Sequence, residues 1–447
     1  MSESRTSKLK PSVNRITRRS FIKRTAALSA GAAVFPMIVP ASALGRGGAT
    51  APSNRLAMGC IGVGSQGTGN MKGFLKKEAL QIVAVADVDR GHRQAAQTIV
   101  NATYDNTSCA EYDDYRELLA RDDLDVISIA VPDHWHALVA IAAADRKRDI
   151  YAEKPLALTI PEGRAMIDAV KRNKVVWQTG SWQRSKRQFL RACEIVRGGH
   201  IGEVHTVRVG LPTGRPCARQ QEMPVPEGFD YDFWLGPSPA EPYTEQRCHW
   251  NFRWILDYSG GQLTDWGAHH CDIANWGMDT ENTGPVEIEG TGVFPREGLW
   301  DAATDYYIAC RYPAKVSTVS PKGFTMLVSN AFPMGARFEG TDGWVHVNRG
   351  GFTTSSADTK NANSGPEAYE LYRSDDHAQN FIDCVRSRKE TVTPINAAHH
   401  AIAIPHLGNI SMRLGRKIRW NPDKEQFVDD PIADRMLVRS MRGSWHI

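Results

Sequence analysis

Between residues 56 and 178 the chain alternates short apolar runs with stretches whose apolar positions recur every three or four residues. The runs at 56–61, 81–86, 126–131, 149–152 and 175–178 predict strands, and the stretches from 65 to about 77, at 113–121, 137–146 and 161–172 predict helices. Unbroken apolar runs belong to strands covered on both faces, so this half is expected to form a parallel sheet with right-handed crossovers. Beyond it the pattern changes. Residues 203–209, 286–294, 306–312, 325–329 and the hairpin-like 337–347 predict strands of an open, largely antiparallel sheet, with Gly340, Gly343, Gly350 and Gly351 at its turns. Helices are expected at 376–386 and 397–414, and a mobile loop at 355–364. The whole reads as α/β in class, with an N-terminal parallel-sheet domain at 56–182 and a second α/β domain at 183–447.

The first strand runs into Gly62-Val63-Gly64-Ser65-Gln66-Gly67, a helix follows, and the second strand ends in Asp87. Each part has a physical role in a dinucleotide site. Gly62 permits the tight turn, Gly64 lets the backbone approach a pyrophosphate, and Gly67 lets helix and strand pack closely. Ser65 and Gln66 open the helix whose free N–H groups face the phosphates. Asp87 accepts hydrogen bonds from the ribose hydroxyls and repels a 2′-phosphate, which favours NAD. Arg90 and Arg93 nearby keep NADP as the less favoured alternative. Ligands sit beyond the carboxyl ends of such strands, so the turns at 62–67, at Asp87, at 132–136 and at 153–155 are expected to face one crevice.

The first 43 residues read as an address. Thr17-Arg18-Arg19-Ser20-Phe21-Ile22-Lys23 precedes an apolar, Ala-rich stretch and then Ala41-Ser42-Ala43. A basic region, a short apolar core and a small-x-small site make an export signal, and the paired arginines resemble the twin-arginine type. The alternatives are a basic amphipathic tail or an uncleaved anchor. The expectation is a signal at 1–43, a linker at 44–55, the twin-arginine export machinery as a partner, and a periplasmic destination. Charge agrees: of the net +4, residues 1–43 contribute +7 and the remainder −3. A mildly acidic body gives no reason to expect nucleic acid. The eight cysteines show no C-x-x-C spacing and are expected to be mostly buried thiols.

Further features carry a family likeness. These are Pro132-Asp133-His134-Trp135-His136, Glu153-Lys154-Pro155, and Asp265-Trp266-Gly267-Ala268-His269-His270-Cys271-Asp272. Together with the glycine turn and Asp87, they resemble the glucose–fructose oxidoreductase / inositol dehydrogenase / MocA (Gfo/Idh/MocA) family from about residue 56 onward. The resemblance implies a Rossmann domain followed by a domain whose sheet, with Lys154 and the helix carrying Asp265 and His269, encloses a sugar or cyclitol. It implies Pro132, His136 and Glu153 as further cofactor contacts. It also implies Lys154 and His269 as an acid/base and hydroxyl-binding pair, with Asp265 orienting substrate or imidazole.

Asp265 and His269, four apart on a helix, share a face, and Asp272 is placed on the same side. Imidazole takes a proton near neutrality, and Lys154 can do so if burial and a cationic nicotinamide disfavour its charge. Trp182 and Arg184 are expected to touch substrate. Seven of twelve tryptophans fall between 177 and 276, which suits stacking on a polyol. His249, His269, His270, Cys271 and Asp272 include metal-ligand types without a recognisable closed-site spacing, so no metal is expected.

The functional expectation is an exported oxidoreductase moving a hydride between NAD and a secondary alcohol, with a cofactor that does not leave between turnovers. The alternatives are a redox-neutral NAD-dependent glycosidase or lyase and a non-catalytic nucleotide- or sugar-binding protein. A homo-oligomer is expected from the exposed face of the open sheet.

Overall fold

The structure is a computed structural model that describes residues 54–363 and 367–447. The expected signal at 1–43 and all but the end of the linker lie outside the described residues. The first domain is a six-stranded parallel sheet in the order β3-β2-β1-β4-β5-β6. Its strands are β1 (Leu56–Ile61), β2 (Leu80–Ala86), β3 (Ala110–Tyr112), β4 (Val126–Ile129), β5 (Asp149–Ala152) and β6 (Trp177–Thr179). Between them run helices α1 (Ser65–Leu75), α2 (Arg90–Tyr104), α3 (Tyr115–Leu119), α4 (Asp133–Asp145) and α5 (Ile160–Asn173). Every residue of β4 and β5 is buried, which is why these strands read as unbroken apolar runs. Strand order reverses between β1 and β4, and that switch point opens the crevice for a ligand.

A 3₁₀ turn (Trp182–Ser185) and helix α6 (Arg187–Arg197) lead into β7 (Val204–Gly210). A long segment containing the short α7 (Tyr231–Leu235) precedes α8 (Gly261–Met278). Strands β8 (Glu287–Val293), β9 (Asp305–Tyr312), β10 (Phe324–Ser329), β11 (Gly335–Gly340), β12 (Trp344–Asn348) and β13 (Gly351–Thr354) follow. After α9 (Ala357–Asn361), α10 (His377–Ser387) and α11 (Ile395–Leu414), strands β14 (Ile418–Asn421) and β15 (Gln426–Phe427) complete the sheet. Its order is β13-β12-β11-β7-β10-β9-β8-β14-β15, antiparallel except for the β7–β10 pair. On β9 buried residues alternate with more exposed ones, because one face of the sheet is covered and the other is not.

Three local expectations change. The helix expected at 113–121 shrinks to α3, begun by Asp114, whose side chain accepts from Arg116 N at 2.8 Å. Helix α2, mostly polar and buried only at Ala96 and Val100, was not anticipated. The expected loop at 355–364 contains α9, capped by Ser356, whose hydroxyl accepts from Thr359 N at 3.1 Å; residue 364 lies outside the described residues. All eight cysteines are free thiols, seven of them buried and Cys217 partly so.

Helix α8 is buried along nearly its whole length, packed against α6 and α11. His270 sits on it at 1% exposure, stacked on Trp266, with neither ring nitrogen hydrogen-bonded. His134 in α4 is likewise fully buried. Burial pushes both imidazoles down to about 3, whereas an unfolded histidine titrates near ~6.5. Below that value the unfolded chain takes up protons that the fold refuses, so stability falls as pH drops from about 6.5 toward 3. Each such imidazole adds roughly 1.4 kcal/mol per pH unit to that slope. His270→Phe removes one of them, and urea unfolding between pH 7 and 4 should show a shallower acid loss than the native chain, with stability at pH 7 retained or raised.

Candidate active site

The glycine turn after β1 is built for close backbone approach. Gly62 adopts φ +78°, and a Cβ there would meet the Ala130 carbonyl oxygen at 2.5 Å. A Cβ on Gly67 would lie 1.9 Å from the Gly62 oxygen. At Gly64 the nearest atom to such a carbon is His92, 3.7 Å away, so the space in front of the α1 N-terminus is left to a ligand. Asp87 closes the turn from the end of β2. Its carboxylate accepts from Val63 N at 2.8 Å and from Asp89 N at 3.0 Å, with lone pairs remaining for a ribose. Burial raises its pKa, and the two N–H groups and His92 only partly offset that.

This turn opens into a cavity of about 640 Å³, lined by Gly62, Gly64, Ser65, Gln66, Gly67, Asp87, Pro132, Glu153, Lys154, Trp182, Asp265 and His269. The structure therefore brings all but two of the expected site residues together. At the end of β5, Glu153 accepts from Asn70 Nδ2 (2.9 Å) and Gln66 Nε2 (3.2 Å), tying the strand to α1. Next comes Lys154, whose peptide bond to Pro155 is cis. Lys154 Nζ donates to Asp265 Oδ1 at 2.7 Å and to the Asp265 carbonyl at 3.3 Å. Arg253 Nε donates to the same Oδ1 at 3.2 Å. Burial alone would raise the Asp265 carboxyl, but these two cations hold it below its ordinary value. One turn along α8, His269 is driven well below the usual imidazole range by burial and by the charges of Lys154 and Arg349. It is neutral at neutral pH, and its Nδ1 has no hydrogen-bond partner.

Sequence reasoning missed Gln262, Arg253 and Arg349, which also line the cavity. Gln262 was within reach of it: positions 262, 265 and 269 follow helical spacing on one face of α8. Its Oε1 is buried without a partner. Arg253 and Arg349 lie in a 3₁₀ turn (His249–Trp254) and in the β12–β13 turn, where no periodicity announces a site. Of the seven clustered tryptophans, Trp182, Trp234, Trp250, Trp254 and Trp266 line the cavity, while Trp177 and Trp276 belong to the core.

Two expected contacts are corrected. His136 turns away from the cavity, its Nε2 2.9 Å from the Val131 carbonyl oxygen and its Nδ1 3.3 Å from that of Leu156. Its place on α4 points the ring into the seam between β4 and the loop after β5. Arg184 is 2% exposed and points toward the C-terminal end of α8, away from the cavity lining. There it forms a two-pronged pair with Asp272 at 2.6 and 2.8 Å, reaches Glu281, and lies over the Trp276 ring. Asp272, placed by helical spacing beside His269, is thereby withdrawn from the cavity. The fold also disperses the candidate metal ligands, since Cys271 enters the core and His270 packs on Trp266. His249 instead approaches Asp89 and His92, with ligand atoms within 4.8 Å of one another at the Asp87 end of the cavity.

A parallel sheet in the 3-2-1-4-5-6 order, a glycine turn at its switch point and a lysine at the end of β5 define a two-domain dinucleotide-binding oxidoreductase. Residues 56–181 match the oxidoreductase family, NAD-binding Rossmann fold, and residues 213–447 match the C-terminal alpha/beta domain of the same family. The chain belongs to the Gfo/Idh/MocA oxidoreductase family. It is 30% identical over 206 residues to glycosyl hydrolase family 109 protein 1 of Shewanella sp. (strain MR-4), covering 43% of this chain and 45% of that one. Alpha-N-acetylgalactosaminidase of Shewanella oneidensis is 30% identical over 210 residues, with the same two coverages. The chain thus spans less than half the length of these relatives. Among solved structures, the WlbA dehydrogenase from Bordetella pertussis in complex with NADH and UDP-GlcNAcA is similar with a TM-score of 0.60 and 16% identity, over 82% of this chain and 99% of that one. The aldose-aldose oxidoreductase from Caulobacter crescentus gives 0.58 and 18%, over 82% and 99%. At these identities the two structures establish the fold.

The Arg184 pair is a structural element and gives a test independent of chemistry. Arg184→Ala leaves Asp272 charged and alone in the core, and should cost about 3–5 kcal/mol of stability in denaturant unfolding. The folded fraction should still bind dinucleotide with native affinity.

Proposed function

We propose that this protein is an NAD-dependent oxidoreductase acting on a secondary alcohol of a sugar or cyclitol, and that it keeps its cofactor between turnovers. The observation that carries this reading is the convergence of Lys154, Asp265 and His269 on the cavity into which the glycine turn and Asp87 open. The site fits the cofactor: the cradle at Gly62, Gly64 and Gly67 admits backbone approach, and Asp87 faces the ribose end. When bound there, the nicotinamide supplies the hydride acceptor and donor. The chain's own groups handle the proton. A substrate hydroxyl placed between Lys154 Nζ and His269 meets an ammonium donor and a neutral imidazole acceptor. Its proton passes to this pair as the carbon loses hydride and becomes a ketone. Asp265, tied to Lys154 and Arg253, fixes the ammonium in position. Asp87 favours NAD over NADP.

Retention of the cofactor is supported by a strap from the second domain across the Asp87 end. Arg90 N donates to the Gly228 carbonyl at 2.9 Å and Asp230 N to that of Val88 at 3.0 Å, while Phe229 and His249 wall the cavity there. Export by the twin-arginine route to the periplasm is part of the proposal, as is self-association of the chain. Both suit an enzyme that carries its dinucleotide with it. The second reading, redox-neutral cleavage of a glycosidic bond by water, is favoured by the glycosyl hydrolase family 109 relatives.

Native protein, denatured after purification, should release near-stoichiometric NAD(H) by mass spectrometry. An empty protein would refute retention. Lys154→Ala should lower turnover of a polyol by roughly 10²–10⁴-fold while dinucleotide stays bound; unchanged turnover would remove Lys154 from the mechanism. Product released from a glycoside with no net change in nicotinamide absorbance would favour the second reading.

A further inference from the structure

Lys154, Arg253 and Arg349 approach Asp265 from three sides of the cavity, and only the first two are ion-paired with it. Lys154 and Arg253 share the single carboxylate of Asp265. Arg349 faces the same space from the β12–β13 turn and has no ion-pair partner among the described residues. Of the other acids lining the cavity, Glu153 accepts from Asn70 and Gln66 and Asp133 accepts from Ser259, and neither they nor Asp87 and Asp113 form an ion pair with Arg349.

Arg349 is also held in a defined pose. Its guanidinium lies over the Trp182 ring at 4.6 Å and the Trp266 ring at 4.4 Å. With the Gln183 amide turned so that its oxygen faces Arg349, that oxygen accepts from Arg349 Nε at 3.1 Å, and the amide nitrogen donates to the His269 carbonyl at 3.3 Å. Stacking fixes the plane of the guanidinium and Gln183 occupies its inner N–H, which leaves the outer prongs for a ligand. A planar fork with two parallel donors is the group that recognises an oxyanion. Trp266 is itself next to the site chemistry, its ring 5.6 Å from that of His269.

Building on the proposed sugar oxidoreductase, we infer that the substrate is an anionic sugar whose carboxylate or sulfate is received by Arg349 between Trp182 and Trp266. The anion gives Arg349 the partner it lacks, while the two indoles hold the guanidinium in place. A neutral sugar would leave Arg349 unpaired, and an oxidised nicotinamide would add yet another positive charge to this end.

The test uses the protein loaded with NAD and isothermal titration with gluco-, galacto- and mannuronate, the parent hexoses, and the corresponding 6-sulfates. The native protein should bind at least one acidic sugar about 10-fold or more tightly than its neutral parent, and the uronate and sulfate arms identify which oxyanion it takes. Arg349→Gln should abolish that preference by weakening the acidic sugar alone, and Arg349→Lys should restore part of it. Equal binding of acidic and neutral sugars by the native chain would overturn the inference, as would an equal loss for both in Arg349→Gln. If neutral polyols are turned over without any preference for acids, only this inference falls. If no sugar of either kind binds and none exchanges hydride with the loaded protein, the functional reading fails and the inference with it.

Discussion

The carboxylate of Asp265 is the point on which the site depends. It receives Lys154 from the end of β5 and Arg253 from the turn before α8, so one buried anion joins the parallel-sheet domain to the helix that carries the rest of the chemistry. A buried carboxylate is tolerated only when it is paired and hydrogen-bonded. Here two cations offset its desolvation and tie the end of β5 to α8. Burial keeps His269 neutral, and Lys154, one of the two cations on Asp265, adds to that effect.

The same economy of charge runs along α8. Its N-terminal half presents Gln262, Asp265 and His269 to the cavity, while Asp272, farther along the helix, is neutralised by Arg184. The two ionic centres have opposite purposes. The Arg184–Asp272 pair is sealed in the core, and Arg184 also reaches Glu281 at its rim. The Lys154–Asp265–Arg253 group is open to the cavity and carries excess positive charge. What separates the two centres is access to the cavity rather than burial, because both are buried.

The segment between β7 and α8 is what turns a crevice into an enclosure. It has an aromatic cluster of its own, including Phe229, Tyr231, Trp234 and Tyr258. This cluster gives the strap enough packing to hold its shape where the backbone hydrogen-bonds to Arg90 and Val88. In an open two-domain crevice the dinucleotide leaves by separation of the walls. Here the wall over the Asp87 end is bonded to the domain it covers, and the proposed retention of the cofactor rests on that contact.

Much of this was legible in the residues. The period of two, the period of three to four and the punctuation by glycine gave the order of strands and helices, because those patterns follow from backbone geometry within a few residues. The turn at 62–67, Asp87 and Lys154 were legible for the same reason, since each sits at the end of an apolar strand. His136 and Arg184 were misplaced because the direction of a side chain is decided by what it packs against. For Arg184 that is a carboxylate 88 residues away. Arg253 and Arg349 lie in turns without periodicity, and nothing local announces their approach to Asp265 and Trp266. The sequence by itself determined the local elements and the residue types available for chemistry. The tertiary structure alone decided which of those groups share a cavity, because charges such as Lys154 and Asp265, 111 residues apart, meet only when two domains are packed and water is excluded between them.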